Sequence, residues 1–158
     1  MGIGGIGMSS LAAIVQHQNF TVSGCDSKIM QPTITRLQDQ GCSIHQHGAP
    51  ECFCDDITTV VYSTAIPKNH PELVHAHSRG IQILHRAQLL AQLMAKCANS
   101  IAVSGSHGKT TTTSLIAHCL AQLGYDPTVV VGGMVPSLNN SNARVGKSSV
   151  FVLSLIHI

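Results

Sequence analysis

The sequence has little of what macromolecular and membrane partners require. It contains no tryptophan, only 3% aromatic residues and only 10% charged residues, with a net charge of +2. Nucleic acids and acidic membrane surfaces are bound by clustered basic side chains, and no Lys/Arg run occurs. No apolar stretch reaches the roughly 18 residues of a membrane span, and no basic signal-peptide segment opens the chain. We therefore predict a cytoplasmic protein that binds small molecules and neither nucleic acid nor membrane.

The 158 residues are 44% hydrophobic, which is enough to form a buried core. Segments rich in β-branched residues alternate with segments of helical periodicity, and this alternation predicts an α/β fold with a doubly wound parallel sheet. The predicted strands are 20–24, 58–62, 81–84, 101–103, 128–131 and 150–153. The predicted helices are 8–19, 32–41, 71–78, 86–96 and 109–123.

The pattern of strand and helix starts again near residue 98. We therefore predict two domains, residues 1–97 and the beginning of a second one at 98–158. Within the second domain, the Asn/Ser-rich segment 137–142 predicts a loop.

Six cysteines, at positions 25, 42, 52, 54, 97 and 119, are scattered through predicted helices and strands. We predict that they are reduced thiols, since no secretion signal accompanies them. His45 and His47 precede Cys52 and Cys54, but each pair has only one intervening residue. Zinc-binding pairs are usually spaced more widely, so this segment favours a loop between two strands over a metal site.

The opening string MGIGGIGM contains the pattern G-x-G-x-x-G at Gly2, Gly4 and Gly7. Such a turn holds a phosphate group at a helix N-terminus when it follows a strand. Asp26 follows Gly7 by 19 residues, close to the spacing of a ribose-binding acid in a Rossmann unit. The pattern is weak by itself, and both a plain glycine turn and the dinucleotide site of an oxidoreductase agree with it.

The string SGSHGKTTTTS, which follows the predicted strand at 101–103, is the stronger signal. A glycine loop that opens a helix directs backbone N–H groups at an anion, and Lys109 adds a positive charge. The Thr110 hydroxyl can bind magnesium. The loop is shorter than the general Walker pattern, which would have its first glycine at Val103. His107 lies inside the loop, and a tight turn without a ligand is the alternative.

Two further segments lie at predicted strand ends, where open α/β sheets bind their ligands. Residues 63–66 read STAI, and His85 is followed by Arg86, whose guanidinium could bind phosphate. Each segment alone would indicate only a solvated strand end.

Together these strings resemble the Mur ligases. The resemblance covers residues 2 to about 153 in order. It rests on GIGGIGMSSLA, STAI, NHPE, HRAQLLA, SGSHGKTTTTS, DPT and VGG.

The resemblance implies a Rossmann-like first domain for the UDP-substrate, followed by the start of a P-loop ATPase domain. It implies a ligase that uses ATP and Mg²⁺ to activate the carboxyl group of UDP-N-acetylmuramate, which an amino acid then attacks. It implies catalytic roles for Lys109 and Thr110, with the metal on Thr110. The implied ATP-binding residues are Gly105, Ser106, His107, Gly108, Lys109, Thr110 and Thr111. The implied UDP-substrate-binding residues are Gly2, Gly4, Gly5, Gly7, Met8, Asp26, Ser63, Thr64, Ala65, His85 and Arg86.

The chain departs from the family at both ends. Relatives have a short apolar strand before the first glycine loop, and an acidic run whose first glutamate holds magnesium where this chain has Ser154. We therefore expect a fragment truncated at both ends, with a foreign tail from about Ser154 and no ligase turnover of its own.

The GIGGIGM form of the first loop favours L-alanine as the amino acid. Within the family, a ligase that adds a murein tripeptide to the same UDP-sugar is the alternative. An oxidoreductase module and a module that uses ATP only as a switch are the alternatives outside it.

Overall fold

The computed structural model describes residues 1–49, 52, 56–138 and 141–154. The chain forms two compact units, Met1–Leu89 and Leu90–Ile158. Both units combine helices with parallel strand pairs, so the predicted α/β class is confirmed. No helix in the described part of the chain is both long and apolar enough to cross a membrane.

Helices and strands alternate along the first unit, except that its second and third strands follow one another in the element order of the described residues. Proline opens two of its helices at the first turn, where the missing N–H costs no hydrogen bond. The last helix of the unit begins directly after the last strand and runs on into the second unit. The helices are α1 (Ile6–His17), α2 (Pro32–Asp39), α3 (Pro71–Ser78) and α4 (Arg86–Ala95), and the strands are β1 (Ser23–Asp26), β2 (Ser43–Gln46), β3 (Thr59–Tyr62) and β4 (Gln82–His85).

The strands of the first unit form two parallel pairs, β1 with β2 and β3 with β4. Residues 1–3 bond to one strand of each pair. The N–H groups of Gly2 and Ile3 donate to the Cys25 carbonyl oxygen at 2.9 and 3.2 Å. The Met1 amino group donates to the Val61 carbonyl oxygen at 2.6 Å. The opening glycine loop is thereby attached to both strand pairs.

The core of the first unit joins the loop to α1 and α2. Ile3, Ala12, Leu37 and Cys42 form one buried apolar cluster. Burial of these side chains anchors the opening segment by the hydrophobic effect, at about 25 cal/mol per Å² of apolar surface. The loop is therefore packed against the core as well as hydrogen-bonded.

Two sequence-based predictions in this unit are wrong. The strand predicted at 20–24 has the wrong bounds, since it lies at Ser23–Asp26, although Asp26 stands at its C-terminal end as expected. The segment around His45, predicted as a loop, contains β2 with the sequence SIHQ. Three of its four residues are polar, so the segment has no apolar alternation. Its backbone pairing with β1 decides the conformation.

The second unit has a four-stranded sheet of order β5-β8-β6-β7. Strand β8 pairs in parallel with both β5 and β6, while β7 is antiparallel to β6. Strand β8 is buried at all five positions, as expected for a strand with neighbours on both sides. The elements are β5 (Asn99–Val103), α5 (Lys109–Gln122), β6 (Thr128–Val135), β7 (Ser141–Arg144) and β8 (Val150–Ser154).

The loop predicted at 137–142 is partly wrong. A 3₁₀ turn covers Pro136–Leu138, and β7 begins at Ser141, while residues 139 and 140 lie outside the described part. The sequence SNAR has no strand signal of its own. Strand β7 is held to the start of β6 by Arg144, which contacts the Asp126 carboxylate and donates to the Pro127 carbonyl oxygen at 3.3 Å.

Candidate nucleotide-binding sites

The second glycine loop joins the carboxyl end of β5 to α5. Gly108 has φ 75°, a left-handed conformation that favours glycine, and it is the N-cap residue of α5. Among the residues that the structure describes, no side chain caps this helix. The N–H groups of the first turn therefore point toward the loop without an intramolecular side-chain acceptor, which is the arrangement that binds phosphate at a helix N-terminus.

Lys109 lies across this loop. Its Nζ atom donates to the carbonyl oxygens of Gly105, at 2.6 Å, and Ser106, at 3.4 Å. Gly105 has φ 151°, so its backbone also favours glycine. Residues 104–108 are exposed, while Lys109 and Thr110 are half-buried. The structure thus brings an ammonium group and a helix N-terminus to one exposed strand end.

Ser154 ends β8 in register with Val103, the last residue of β5. Its hydroxyl is buried and has no hydrogen-bond partner in the described part of the chain. Thr113, on the buried side of α5, also has a buried hydroxyl without a hydrogen-bond partner in the described residues. Ser154 therefore places a hydroxyl oxygen, without a hydrogen-bond partner among the described residues, at the carboxyl end of the parallel strands, where the second loop starts.

The first glycine loop has a similar form. Gly2 has φ 70°, the Gly5 N–H donates to the Gly2 carbonyl oxygen at 3.2 Å, and α1 begins at Ile6. The N-cap residue of α1 is Gly5, and the described residues supply no side chain that caps it. A helix N-terminus opened by glycine in this way can bind an anion.

Asp26 holds the first loop in place. Its Oδ2 atom accepts the Gly4 N–H at 2.9 Å, and its Oδ1 atom accepts the Lys28 N–H at 3.0 Å. Thr33 donates its hydroxyl to the Gly4 carbonyl oxygen at 2.8 Å. Asp26 is 8% exposed, so its hydrogen bonds are shielded from water. Sequence reasoning missed Thr33, because a threonine at a helix start gives no signal of a contact 29 residues away.

Ser63 and Arg86 also reach the first loop. A Cβ atom on Gly2 would lie 3.1 Å from Ser63 Oγ, and one on Gly7 would lie 2.5 Å from Arg86 Nη1. The guanidinium group therefore packs against the first turn of α1. The absence of a side chain at Gly7 is what allows this approach.

His85 positions Arg86. The Ala87 N–H donates to His85 Nδ1 at 3.3 Å, and the His85 N–H donates to Gln88 Oε1 at 2.7 Å. This reciprocal pattern is a capping box, which fixes the start of α4 and with it the position of Arg86. Gln88 was missed by the sequence reasoning, although a glutamine three residues after a cap is a recognised signal.

The remaining predicted residues are placed as follows. Met8 is buried in the core, whereas Thr64 and Ala65 are exposed in the turn after β3. His107 and Thr111 are exposed at the second loop.

Two family models match the chain. The model described as "Mur ligase family, catalytic domain" matches residues 1–97, and the one described as "Mur ligase middle domain" matches residues 103–153. The chain belongs to the Mur ligase family. The predicted resemblance is therefore confirmed, and membership in a ligase family favours this class over an oxidoreductase.

Curated Mur ligases are similar over nearly the whole chain. A UDP-N-acetylmuramate–L-alanine ligase from Desulfotalea psychrophila is 45% identical over 96% of this chain and 32% of its own length. One from Syntrophus aciditrophicus is 45% identical over 96% of the chain and 31% of its own length. The chain thus spans about a third of the length of these relatives.

Solved Mur ligases share the fold. A UDP-N-acetylmuramate–alanine ligase from Thermotoga maritima has a TM-score of 0.85 and 32% identity, covering 98% of this chain and 35% of that one. A ligase from Neisseria meningitides named for UDP-N-acetylmuramate and L-alanyl-γ-D-glutamyl-meso-diaminopimelate has a TM-score of 0.83 and 29% identity, covering 97% of this chain and 50% of that one. The relatives named for L-alanine are the more similar in sequence.

Proposed function

We propose that this chain supplies the UDP-substrate site and the phosphate loop of an ATP-dependent ligase that joins L-alanine to UDP-N-acetylmuramate in peptidoglycan precursor synthesis. The domains would be residues 1–97 and the start of a second domain at 98–158. The observation that carries the proposal is the pair of uncapped, glycine-opened helix N-termini, one in each unit. A reaction that uses a UDP-sugar and ATP needs two such anion sites. A cytoplasmic location is part of this proposal.

The second loop is the proposed ATP site. Residues 105–111 would surround the phosphates with backbone N–H groups, and Lys109 would exchange its carbonyl partners for phosphate oxygens. Transfer of the γ-phosphoryl group to a carboxylate needs its charge neutralised and its position fixed, and the lysine and the helix N-terminus do both.

Magnesium fits the oxygen donors at this edge. Thr110 carries a hydroxyl at the helix start and would be the protein ligand. The Ser154 hydroxyl, without a partner in the described residues, is neutral and stands where the family resemblance implies a glutamate, so magnesium should bind this chain weakly. Hard cations of this kind bind oxygen ligands. Bound there, Mg²⁺ would neutralise part of the phosphate charge.

The first loop is the proposed UDP-substrate site. The N-terminal end of α1 at Gly7 and the guanidinium of Arg86 would bind the pyrophosphate, with residues 63–65 at its border. Gly2, Gly4 and Gly5 would shape the loop, since the N–H groups of Gly4 and Gly5 already donate within the first unit. Asp26 acts here as a positioning residue, since both of its carboxylate oxygens already accept backbone N–H groups. His85 positions Arg86 through the cap of α4.

Titration calorimetry of the 158-residue chain tests these assignments. We expect UDP-N-acetylmuramate to bind the first unit and Mg-ATP the second, each without displacing the other. Asp26→Asn should weaken only the UDP-substrate, and the exposed Asp39→Asn is the matched control. Binding of NADH in competition with UDP-N-acetylmuramate would instead support the oxidoreductase alternative.

Turnover is tested in a chimera. Residues 1–153 of this chain should replace the matching segment of the Desulfotalea enzyme, which is about three times as long. We expect this chimera to release ADP only when UDP-N-acetylmuramate and L-alanine are both present. The same chimera carrying Lys109→Gln is the control and should be inactive. ADP release that depends on a murein tripeptide in place of L-alanine would contradict the proposed amino acid.

A further inference from the structure

A cluster of metal-binding side chains surrounds Glu72 in the first unit. It draws its members from three separated segments: Cys25 in β1, His47 and Cys52 after β2, and His70 with Glu72 at the start of α3. Cys25 precedes Asp26 in the same strand, and successive strand residues point to opposite faces. The cluster and the carboxylate that holds the glycine loop therefore lie on different faces of β1.

Glu72 is the centre of the cluster. Its Oε2 atom accepts the Cys25 thiol at 2.8 Å, and its Oε1 atom accepts the Gly48 N–H at 2.8 Å. His47 Nδ1 lies 3.3 Å from the same Oε1 atom. Glu72 is 5% exposed and Cys25 is 4% exposed. The carboxylate is thus buried, oriented by fixed donors and in direct contact with a thiol.

The ligand atoms form two groups that share Glu72. Those of Cys25, Cys52 and Glu72 all lie within 4.8 Å of one another, and so do those of His47, His70 and Glu72. A tetrahedral zinc ion has bonds of about 2.3 Å to sulfur and about 2.0–2.2 Å to oxygen, so its ligand atoms lie roughly 3.3–3.8 Å apart. The separations in each group, all within 4.8 Å, exceed this range by about 1 Å at most.

We propose that the first unit binds Zn²⁺ through Cys25, Cys52 and Glu72. Two sulfur ligands favour a borderline-soft ion such as zinc, whereas Mg²⁺ and Ca²⁺ prefer oxygen ligands alone. His47 hydrogen-bonds the second carboxylate oxygen and fixes the orientation of the ligand. Binding releases both thiol protons to solvent, and each sulfur keeps its electron pair for the metal. The fourth position is left to water.

The spacing of the local histidine and cysteine pairs did not predict this site. His47 and Cys52 belong to the cluster, but their partners come from residues 25 and 72, which only the fold brings close. Cys54 lies outside the described residues. The site also requires neither the UDP-substrate nor ATP, so its failure would leave the proposed ligase function intact.

Cobalt substitution of the full chain tests the proposal. With the thiols reduced and metals removed, Co²⁺ should bind at one equivalent and give thiolate-to-cobalt charge-transfer absorption. Zn²⁺ should then displace the cobalt, with release of about two protons per ion from the metal-free chain. Zinc affinity is measured by competition with a chromophoric chelator.

Four variants sharpen the test. Cys52→Ser changes a half-buried side chain and should abolish the charge-transfer band and weaken zinc binding by more than about a hundredfold, since it removes a direct ligand. His47→Gln should weaken zinc about 10- to 100-fold and keep the band. Cys97→Ser and Cys119→Ser, whose thiols lie outside the cluster, are the matched controls and should bind normally.

Three results would overturn the proposal. They are a chain that fails to bind zinc, a Cys52→Ser variant that binds as well as the parent, and bound cobalt without thiolate absorption. The last result would place the ion on His47, His70 and Glu72. Circular dichroism of each variant confirms that the fold is retained.

Discussion

The two glycine loops have the same form but are held in place by different kinds of contact. Each opens a helix whose N-cap residue is glycine, with no capping side chain in the described part of the chain. The first loop is held by side chains from distant elements, chiefly Asp26, Thr33 and Arg86. The second is shaped by its own glycines and by Lys109, four residues from the carbonyl group it contacts. A phosphate loop can thus depend on tertiary contacts or on local sequence, and substitutions should distinguish the two.

The largest expected effect is on the local loop. Lys109→Gln should weaken ATP binding roughly 10- to 100-fold, equivalent to the loss of a charge-assisted hydrogen bond of about 1.5–3 kcal/mol. Binding of UDP-N-acetylmuramate should not change. Titration calorimetry measures both, and Lys147→Gln, an exposed lysine of the same unit, is the control. An equal loss of affinity for both ligands would show that the loops are not independent.

In the first loop, the neighbouring residues Gly4 and Gly5 should differ in how far substitution by alanine destabilises the unit. A Cβ atom on Gly4 would lie 2.9 Å from Gln31 Nε2 and 3.0 Å from both Asp26 Oδ2 and Ile34 Cδ1. We expect Gly4→Ala to lower the free energy of unfolding of this unit by about 1–3 kcal/mol through overpacking. Gly5→Ala is the control, because its Cβ atom would meet only the Gly2 carbonyl oxygen, at 3.4 Å. Urea denaturation measures the difference, and equal destabilisation would argue against tertiary support of the loop.

In the second loop, backbone conformation should matter more than packing. Gly108 has φ 75°, so Gly108→Ala should cost about 1–2 kcal/mol of unfolding free energy and also weaken ATP binding. The nearest atom to an added Cβ is Thr112 Oγ1, at 4.0 Å, so steric contact contributes little. Gly133→Ala, which meets no atom within 4 Å, is the control. If both variants unfold at the same urea concentration, the left-handed residue is not a determinant of this loop.

The smallest expected effect concerns acid stability of the first unit. The pKa of Glu72 is lowered in the folded state despite its burial, because Cys25, Gly48 and His47 bond the carboxylate. Its contribution to stability is therefore complete above the ordinary glutamate pKa of about 4.3 and is lost as the pH falls through the lower folded-state value.

Glu72→Gln should flatten the dependence of unfolding free energy on pH in the acid range below the ordinary glutamate pKa. Urea titrations of the metal-free chain at several pH values measure this slope. The exposed Asp39→Asn is the control and should keep the slope of the parent. A Glu72→Gln profile that matches the parent would remove Glu72 as a source of acid sensitivity.

Sequence reasoning succeeded where a local signal was strong. The prolines at positions 32 and 71 marked the starts of α2 and α3, and the β-branched residues before the second loop marked β5. It failed at β2 and β7, whose sequences SIHQ and SNAR lack apolar alternation. Both strands form because a neighbouring strand supplies backbone hydrogen bonds, and such pairing is invisible in a short window.

The sequence by itself determined the α/β class, the two glycine loops and the family, because each depends on residue types at fixed short spacings. Only the tertiary structure decided what surrounds them. It turned Asp26 toward the backbone of the first loop and brought Arg86 against Gly7. It also brought the thiols of Cys25 and Cys52 close to the buried carboxylate of Glu72. These contacts join residues 20 to 79 positions apart in the sequence, and only the packing of the chain brings such residues together.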